Sequence, residues 1–109
     1  MRLLLDESVP ATLRRHLPKH EVRTAVEMGW SGVKNGQLLA LAAASGFEAF
    51  ITVDKNLPFQ QNLSTLPIAL LVLDALSNEV QKLRPLLPKL ELELVSLKPR
   101  TYVLIRVDA

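Results

Sequence analysis

Cysteine is absent from the 109 residues. That excludes disulfides and thiolate-metal sites and points to a reducing compartment, the cytoplasm. No apolar run approaches the ~20 residues of a membrane span, and Met1-Arg2-Leu3-Leu4-Leu5 meets Asp6 too early for the apolar stretch of a signal peptide. The expectation is a soluble, internal protein without membrane contact. Aromatics are scarce too: Trp30, Tyr102, Phe47, Phe50 and Phe59 are all there is. The core must therefore come from Leu, Val, Ile and Ala, which favours helices on a sheet over an aromatic-rich β-sandwich. Charge of one sign is also lacking. The net charge is +2, and the lysines and arginines are scattered rather than gathered in the basic stripe of a strong nucleic-acid binder.

What is present is one domain, 1–109, in which apolar runs alternate with helical patterns. Leu3-Leu4-Leu5 reads as a buried strand that stops at Asp6-Glu7. Ser8 reads as an N-cap and Pro10 as part of the first turn of a helix through about Leu17. A second strand spans Glu21 to Ala25, and a loop carries Gly29, Trp30, Ser31 and Gly32. Asn35 reads as the N-cap of a helix whose inner face holds Leu38, Leu39 and Ala42, and Gly46 ends it. Ala49 to Val53 is a third strand and runs into Asp54; a short helix covers Pro58 to Leu63. Ile68 to Leu73 is a fourth strand, followed by Asp74 in a turn before a Ser77-Asn78 cap. Pro85 and Pro88 break the following helix. Leu90-Glu91-Leu92-Glu93-Leu94 alternates like a strand, but Leu83, Leu86, Leu87, Leu90, Leu94 and Leu97 fit a helical stripe better. Tyr102 to Val107 closes the chain as a fifth strand. Strands alternating with helices predict an α/β fold with a mainly parallel sheet covered on both faces.

In such sheets ligands bind beyond the carboxyl ends of the strands. Asp6 and Asp54 follow strands one and three, with Glu7 beside the first. Carboxylates ~4 Å apart repel by about 1 kcal/mol in water and about 4 kcal/mol at an effective dielectric of 20. A fold that gathers them needs a counter-charge, and Mg2+ or Mn2+ suits hard oxygen ligands and bridges to phosphate. Such an ion can activate water and stabilise the leaving oxygen in phosphodiester cleavage. The plainer reading is that acids after strands are turn residues or caps, and for Asp74 that reading is preferred. Lys34 and Lys55 could meet phosphate or be ordinary solvated lysines. Trp30 is read as a loop anchor rather than a base-stacking platform, Gln60 and Gln61 as surface amides, and His16 and His20 as remote from the chemistry.

Leu4-Leu5-Asp6-Glu7-Ser8-Val9-Pro10 resembles the opening of small prokaryotic PIN-like proteins related to the VapC-type toxin ribonucleases. Gly29-Trp30-Ser31-Gly32-Val33-Lys34-Asn35-Gly36-Gln37-Leu38-Leu39 is similar to that group's second motif, and Thr52-Val53-Asp54-Lys55-Asn56-Leu57 to its third. The stretch from Leu73 to Pro88, with Ser77-Asn78 and Leu83-Arg84-Pro85-Leu86, is similar to its C-terminal region, so the resemblance covers nearly the whole chain. It implies a three-layer PIN-like fold with sheet order 3-2-1-4-5. It also implies a Mg2+- or Mn2+-dependent endoribonuclease, the toxin of a toxin-antitoxin pair, with RNA as substrate, an antitoxin protein as partner and a homodimer among its conceivable assemblies. Asp6 and Asp54 fall on the metal acids and Glu7 on a neighbouring catalytic acid. Asn35, Gln37, Lys34, Lys55 and Asn56 fall around them as supporting or substrate-binding residues.

The second motif usually supplies another acid where this sequence has Asn35-Gly36-Gln37. Two functions therefore stay open: a metal-dependent ribonuclease, or a weak or inactive PIN-like module that binds RNA or a partner protein. A phosphoacceptor receiver domain would share Asp6-Glu7 and Asp54. It would also need a hydroxyl after strand four and a lysine after strand five, where this chain has Asp74-Ala75 and Asp108-Ala109.

Overall fold

Five apolar runs form strands: β1 (Arg2–Leu5), β2 (Glu21–Thr24), β3 (Ala49–Thr52), β4 (Ala69–Asp74) and β5 (Tyr102–Arg106). They make one all-parallel sheet in the order β2-β1-β3-β4-β5. The structure is a computed structural model that describes residues 1–106. Val107, expected in the fifth strand, and the Asp108-Ala109 pair therefore lie outside the described residues. Among the described residues no helix is long and apolar enough to cross a membrane.

The α/β class, the parallel sheet and the helices on both faces are as expected; the order 3-2-1-4-5 is not. That order would bury β2 and put β3 at an edge. Glu21-Val22-Arg23-Thr24 instead alternates exposed and buried, as suits an edge, and its charges guard an open ladder. Ala49-Phe50-Ile51-Thr52 is buried throughout, as suits a central strand. β1 and β3 are therefore direct neighbours, with Leu5 opposite Ile51.

Two clusters fill the layers. On the first face Leu3, Leu5, Ile51 and Leu71 pack against Leu13 and Leu17, of and just after the 3₁₀ helix Ala11–His16, and against the β4–β5 connection. On the second face Leu4, Phe50, Leu70 and Val72 pack against α1 (Asn35–Ala44) and the short 3₁₀ turns Leu57–Gln60 and Leu63–Thr65. Trp30 packs against this second cluster with its ring edge to Phe47, 6.3 Å between centroids, and so anchors its loop.

Faces and directions together show an unusual connection. The chain steps from β1 to β2 over the first face, then reverses direction and passes to β3 and β4 over the second; reversing both keeps one hand. From β4 to β5 it continues onward but over the first face, through α2 (Val80–Leu83), the 3₁₀ turn Arg84–Leu86 and α3 (Leu87–Val95). That last crossover has the hand opposite to the other three, in a class of connection that is right-handed in about 98% of cases.

Local details correct several expectations. Ser8 caps no helix: Pro10 holds the cap position, and the Ser8 N–H and hydroxyl are both committed to Asp6. Lys34, not Asn35, is the N-cap residue of α1, because the Leu38 N–H already donates to the Lys34 carbonyl. Asp74 is the last residue of β4, opposite Arg106, rather than part of a turn. Gly46 does end α1 with φ +86°, where a Cβ would sit 3.2 Å from Arg2 Nη1. Pro85 and Pro88 do divide the helical stretch, each entering within the first two positions of a new segment.

The alternating leucines become helical, with Leu90 and Leu94 inward and Leu92 72% exposed. A strand would put all three on one face. Leu90→Ala should therefore cost about 2–5 kcal/mol in denaturant unfolding and Leu92→Ala less than about 0.5 kcal/mol. Equal losses would contradict the helical placement.

Candidate functional site

The chain reverses its direction across the sheet between β1 and β3, and the carboxyl ends of those two strands open onto a recess of about 260 Å3. Asp6, Glu7, Asn35 and Asp54 all line it, with Ser8 and the Gly32-Val33 loop. The sequence-derived acids are thus brought together, with one amide from the first turn of α1. Gln37, Lys34, Lys55 and Asn56 do not line the recess. Lys34 and Gln37 are exposed on the start of α1, and Lys55 pairs with Asp74 at 2.8 Å. Asn56 contributes its backbone N–H, which donates to Asp54 Oδ1 at 2.9 Å.

Asp6 is 6% exposed and follows directly on β1, its own N–H donating to the Ile51 carbonyl. Its carboxylate is well supplied with donors. Oδ1 accepts from the Ser8 N–H at 3.0 Å and from the Ser8 hydroxyl, and Oδ2 accepts from the Thr52 hydroxyl at 2.6 Å. Thr52 Oγ1 in turn accepts the Asp54 N–H at 3.0 Å, and Ser8 Oγ accepts the Val53 N–H at 3.3 Å. Two hydroxyls therefore tie the chain after β1 to the chain after β3. Burial pushes the Asp6 carboxyl above its ordinary 3.8, while the bonds from Ser8 and Thr52 pull it back down. The negative charge of Asp54 adds to the rise but is the weakest influence.

Ser8 and Thr52 are the residues that sequence reasoning missed as members of this site. Their signal was present: a serine two positions after an aspartate is the pattern of an Asx turn, and a threonine interrupts the apolar run of a central strand. At the rim, Glu7 Oε1 accepts the Gly32 N–H at 2.8 Å and so holds the glycine loop in place. Gly32 has φ +82°, a conformation that favours glycine.

The recess offers a divalent cation few free carboxylate oxygens. Among the described residues no three His, Cys, Asp or Glu side chains are grouped closely enough to hold a metal by themselves. Asp54 Oδ2 and Glu7 Oε2 have no hydrogen-bond partner among the described residues. That set fits Mg2+ or Mn2+ as one or two carboxylates plus waters and substrate phosphate, and does not fit an all-protein cage.

No protein-family model, no curated protein and no solved structure matches this chain.

Thr52→Val keeps the shape and removes the bridging hydroxyl. It strands Asp6 Oδ2 and the Asp54 N–H, so a loss of about 1–3 kcal/mol is expected in denaturant unfolding. The Asp6 carboxyl should titrate higher still in an NMR pH series; an unchanged titration would show that the bond is not formed in solution. The sign of the pH effect follows from the same carboxyl. Its folded-state pKa lies above 3.8, so the folded protein holds the extra proton over that window. The Asp6 contribution is full below 3.8 and declines as pH rises through the folded value. Wild type relative to Asp6→Asn should therefore lose stability as pH is raised across that interval, and a constant difference would overturn the assignment.

Proposed function

We propose that the recess at the ends of β1 and β3 is the site of a weak Mg2+- or Mn2+-dependent endoribonuclease. The observation that carries the reading is that Asp6 and Asp54, with Glu7 and Asn35, line one recess at the switch point of a parallel sheet. Asp54, through Oδ2, and Asp6, through the lone pair that the single bond from Thr52 leaves on its Oδ2, would hold the cation, with Glu7 at the rim. Bound there, it would neutralise phosphodiester oxygens and supply a water of lowered pKa. The chain's own part is orientation: Ser8 and Thr52 fix the Asp6 carboxylate, the Asn56 N–H fixes Asp54, and Glu7 sets the height of the Gly32 loop at the rim. Lys34 and Lys55 stand outside the recess as candidate phosphate contacts. The resemblance to PIN-like toxins supports RNA as substrate, an antitoxin protein as partner and the cytoplasm as location.

A second reading, a module that binds RNA or a partner protein without cutting, is favoured by one specific observation. The first turn of α1 offers the recess Asn35 and no carboxylate, so the site has two strong anionic ligands and a rim acid at most.

The two readings separate on metal response. At ten times its Kd, Mn2+ should stabilise the chelator-treated protein by about 1.4 kcal/mol, a rise of several degrees in Tm. Unstructured RNA should be cleaved slowly with Mn2+ and not in chelator. Asp54→Asn should abolish both effects, and Asn35→Asp, which supplies the absent acid inside the recess, should strengthen both. If neither wild type nor Asn35→Asp responds to Mn2+ in melting or cleavage, the nuclease reading fails and the binding module stands.

A further inference from the structure

We infer that the groove at the carboxyl ends of β4 and β5 is a phosphate-binding subsite that holds single-stranded RNA beside the acidic recess. The inference rests on the reading of that recess as a site acting on RNA. The groove, about 310 Å3, is lined by Asp74, Leu76, Lys82, Pro85 and Arg106 among others. Among the described residues its one acid is already neutralised, since Lys55 Nζ lies 2.8 Å from Asp74 Oδ1. Among the described residues no acid pairs with Lys82 or Arg106. Counted over the described residues, the groove and its Lys55 shoulder therefore carry two positive charges in excess.

Three further features suit a polynucleotide rather than a lone anion. Leu76, 94% exposed, stands at the groove with Pro85 and offers a base or ribose an apolar face. Recess and groove open on the same edge of the sheet, two inter-strand spacings or roughly 10 Å apart, within reach of one short oligonucleotide. Lys55 and Asp74 join them: Lys55 follows the recess residue Asp54, and Asp74 belongs to the groove. A phosphate arriving between the two would compete with Asp74 for Lys55. That pair is half-exposed, so its loss is cheap.

The test is binding of a short fluorescent oligouridylate in chelator, followed across a salt titration. Each phosphate contact on a single strand contributes about 0.7 to the magnitude of the log–log salt slope. Lys82→Gln and Arg106→Gln, both at exposed positions, should each lower the slope by about that amount and weaken binding severalfold at low salt. Lys19→Gln, at the opposite end of the sheet beside Met1 and His20, should leave the slope unchanged. Oligouridylate binding that is indifferent to Lys82 and Arg106 would overturn the subsite and leave the nuclease reading untouched. Binding weakened in those variants, with no Mn2+ response in melting or cleavage from wild type or Asn35→Asp, would keep the subsite and overturn the nuclease reading. No binding by wild type at low salt would overturn the subsite outright.

Discussion

Asp6, Thr24 and Thr52 are the buried polar side chains of the described core, and two of the three bond to each other. A carboxylate taken out of water without partners costs several kcal/mol, so Asp6 is tolerable where it lies only because Ser8 and Thr52 supply three donors. Much of the site's geometry descends from that requirement. Thr52 can donate to Asp6 only if β1 and β3 end level with one another, and its oxygen then takes the Asp54 N–H and sets where the next acid stands. Ser8 can reach Asp6 only by turning the chain back on itself. That leaves the Ser8 carbonyl free to accept from Asn78 at the start of the β4–β5 connection. Glu7, projected the other way, holds the Gly32 loop that leads into α1. One buried charge thus registers two strands, a loop and a helix approach.

The opposite-handed crossover is part of the same arrangement. Because the β4–β5 connection runs over the first face, Asn78 lies near Ser8 and α2 lies beside the Ala11–His16 helix. A crossover of the common hand would have carried those residues over α1's face, away from Ser8, and taken Lys82 and Pro85 with them. The cost shows at β5. With no helix of the described residues over its second face, Tyr102 and Leu104 remain only partly covered.

Strand and helix alternation was legible because buried strands and helical stripes leave different periods, and the leucines at positions 83, 86, 87, 90 and 94 resolved even an ambiguous segment. Sheet order was recoverable in principle from Glu21 and Arg23, whose alternation with Val22 and Thr24 marks an edge; the order implied by resemblance overrode that signal. The gathering of Asp6, Glu7, Asn35 and Asp54 was legible from the rule that parallel strands present their carboxyl ends to ligands. Their hydrogen bonding was legible only in part. The Asp6–Ser8 turn has a local signature, but the bond from Thr52 to Asp6 spans 46 positions, which no local pattern contains. Asp74 was misplaced for a similar reason: its strand is extended by pairing with Arg106, and its charge is answered by Lys55 from another strand end.

A net charge of +2 said almost nothing about ligands because it averages two local fields that the fold keeps apart. Over β1 and β3 the rim is acidic, and one of its acids is buried and bonded so fully that solvent answers little of its charge. Over β4 and β5 the described rim is basic, because Lys55 has cancelled Asp74, the acid among the described lining residues. A monoanionic protein surface would have use for one of these halves but not both. A polyanion that carries its own cation would have use for both at once, since the acidic half could take the cation and the basic half the phosphates that the cation leaves unneutralised. The Lys55–Asp74 pair is where the sign changes, and its partial exposure keeps it weak enough to yield to a phosphate. On the proposed reading, the absence of a carboxylate at Asn35 has a definite consequence. With fewer fixed negative charges in the recess, cation binding would lean more heavily on phosphates held by the basic half, and metal and polyanion would be mutually dependent ligands.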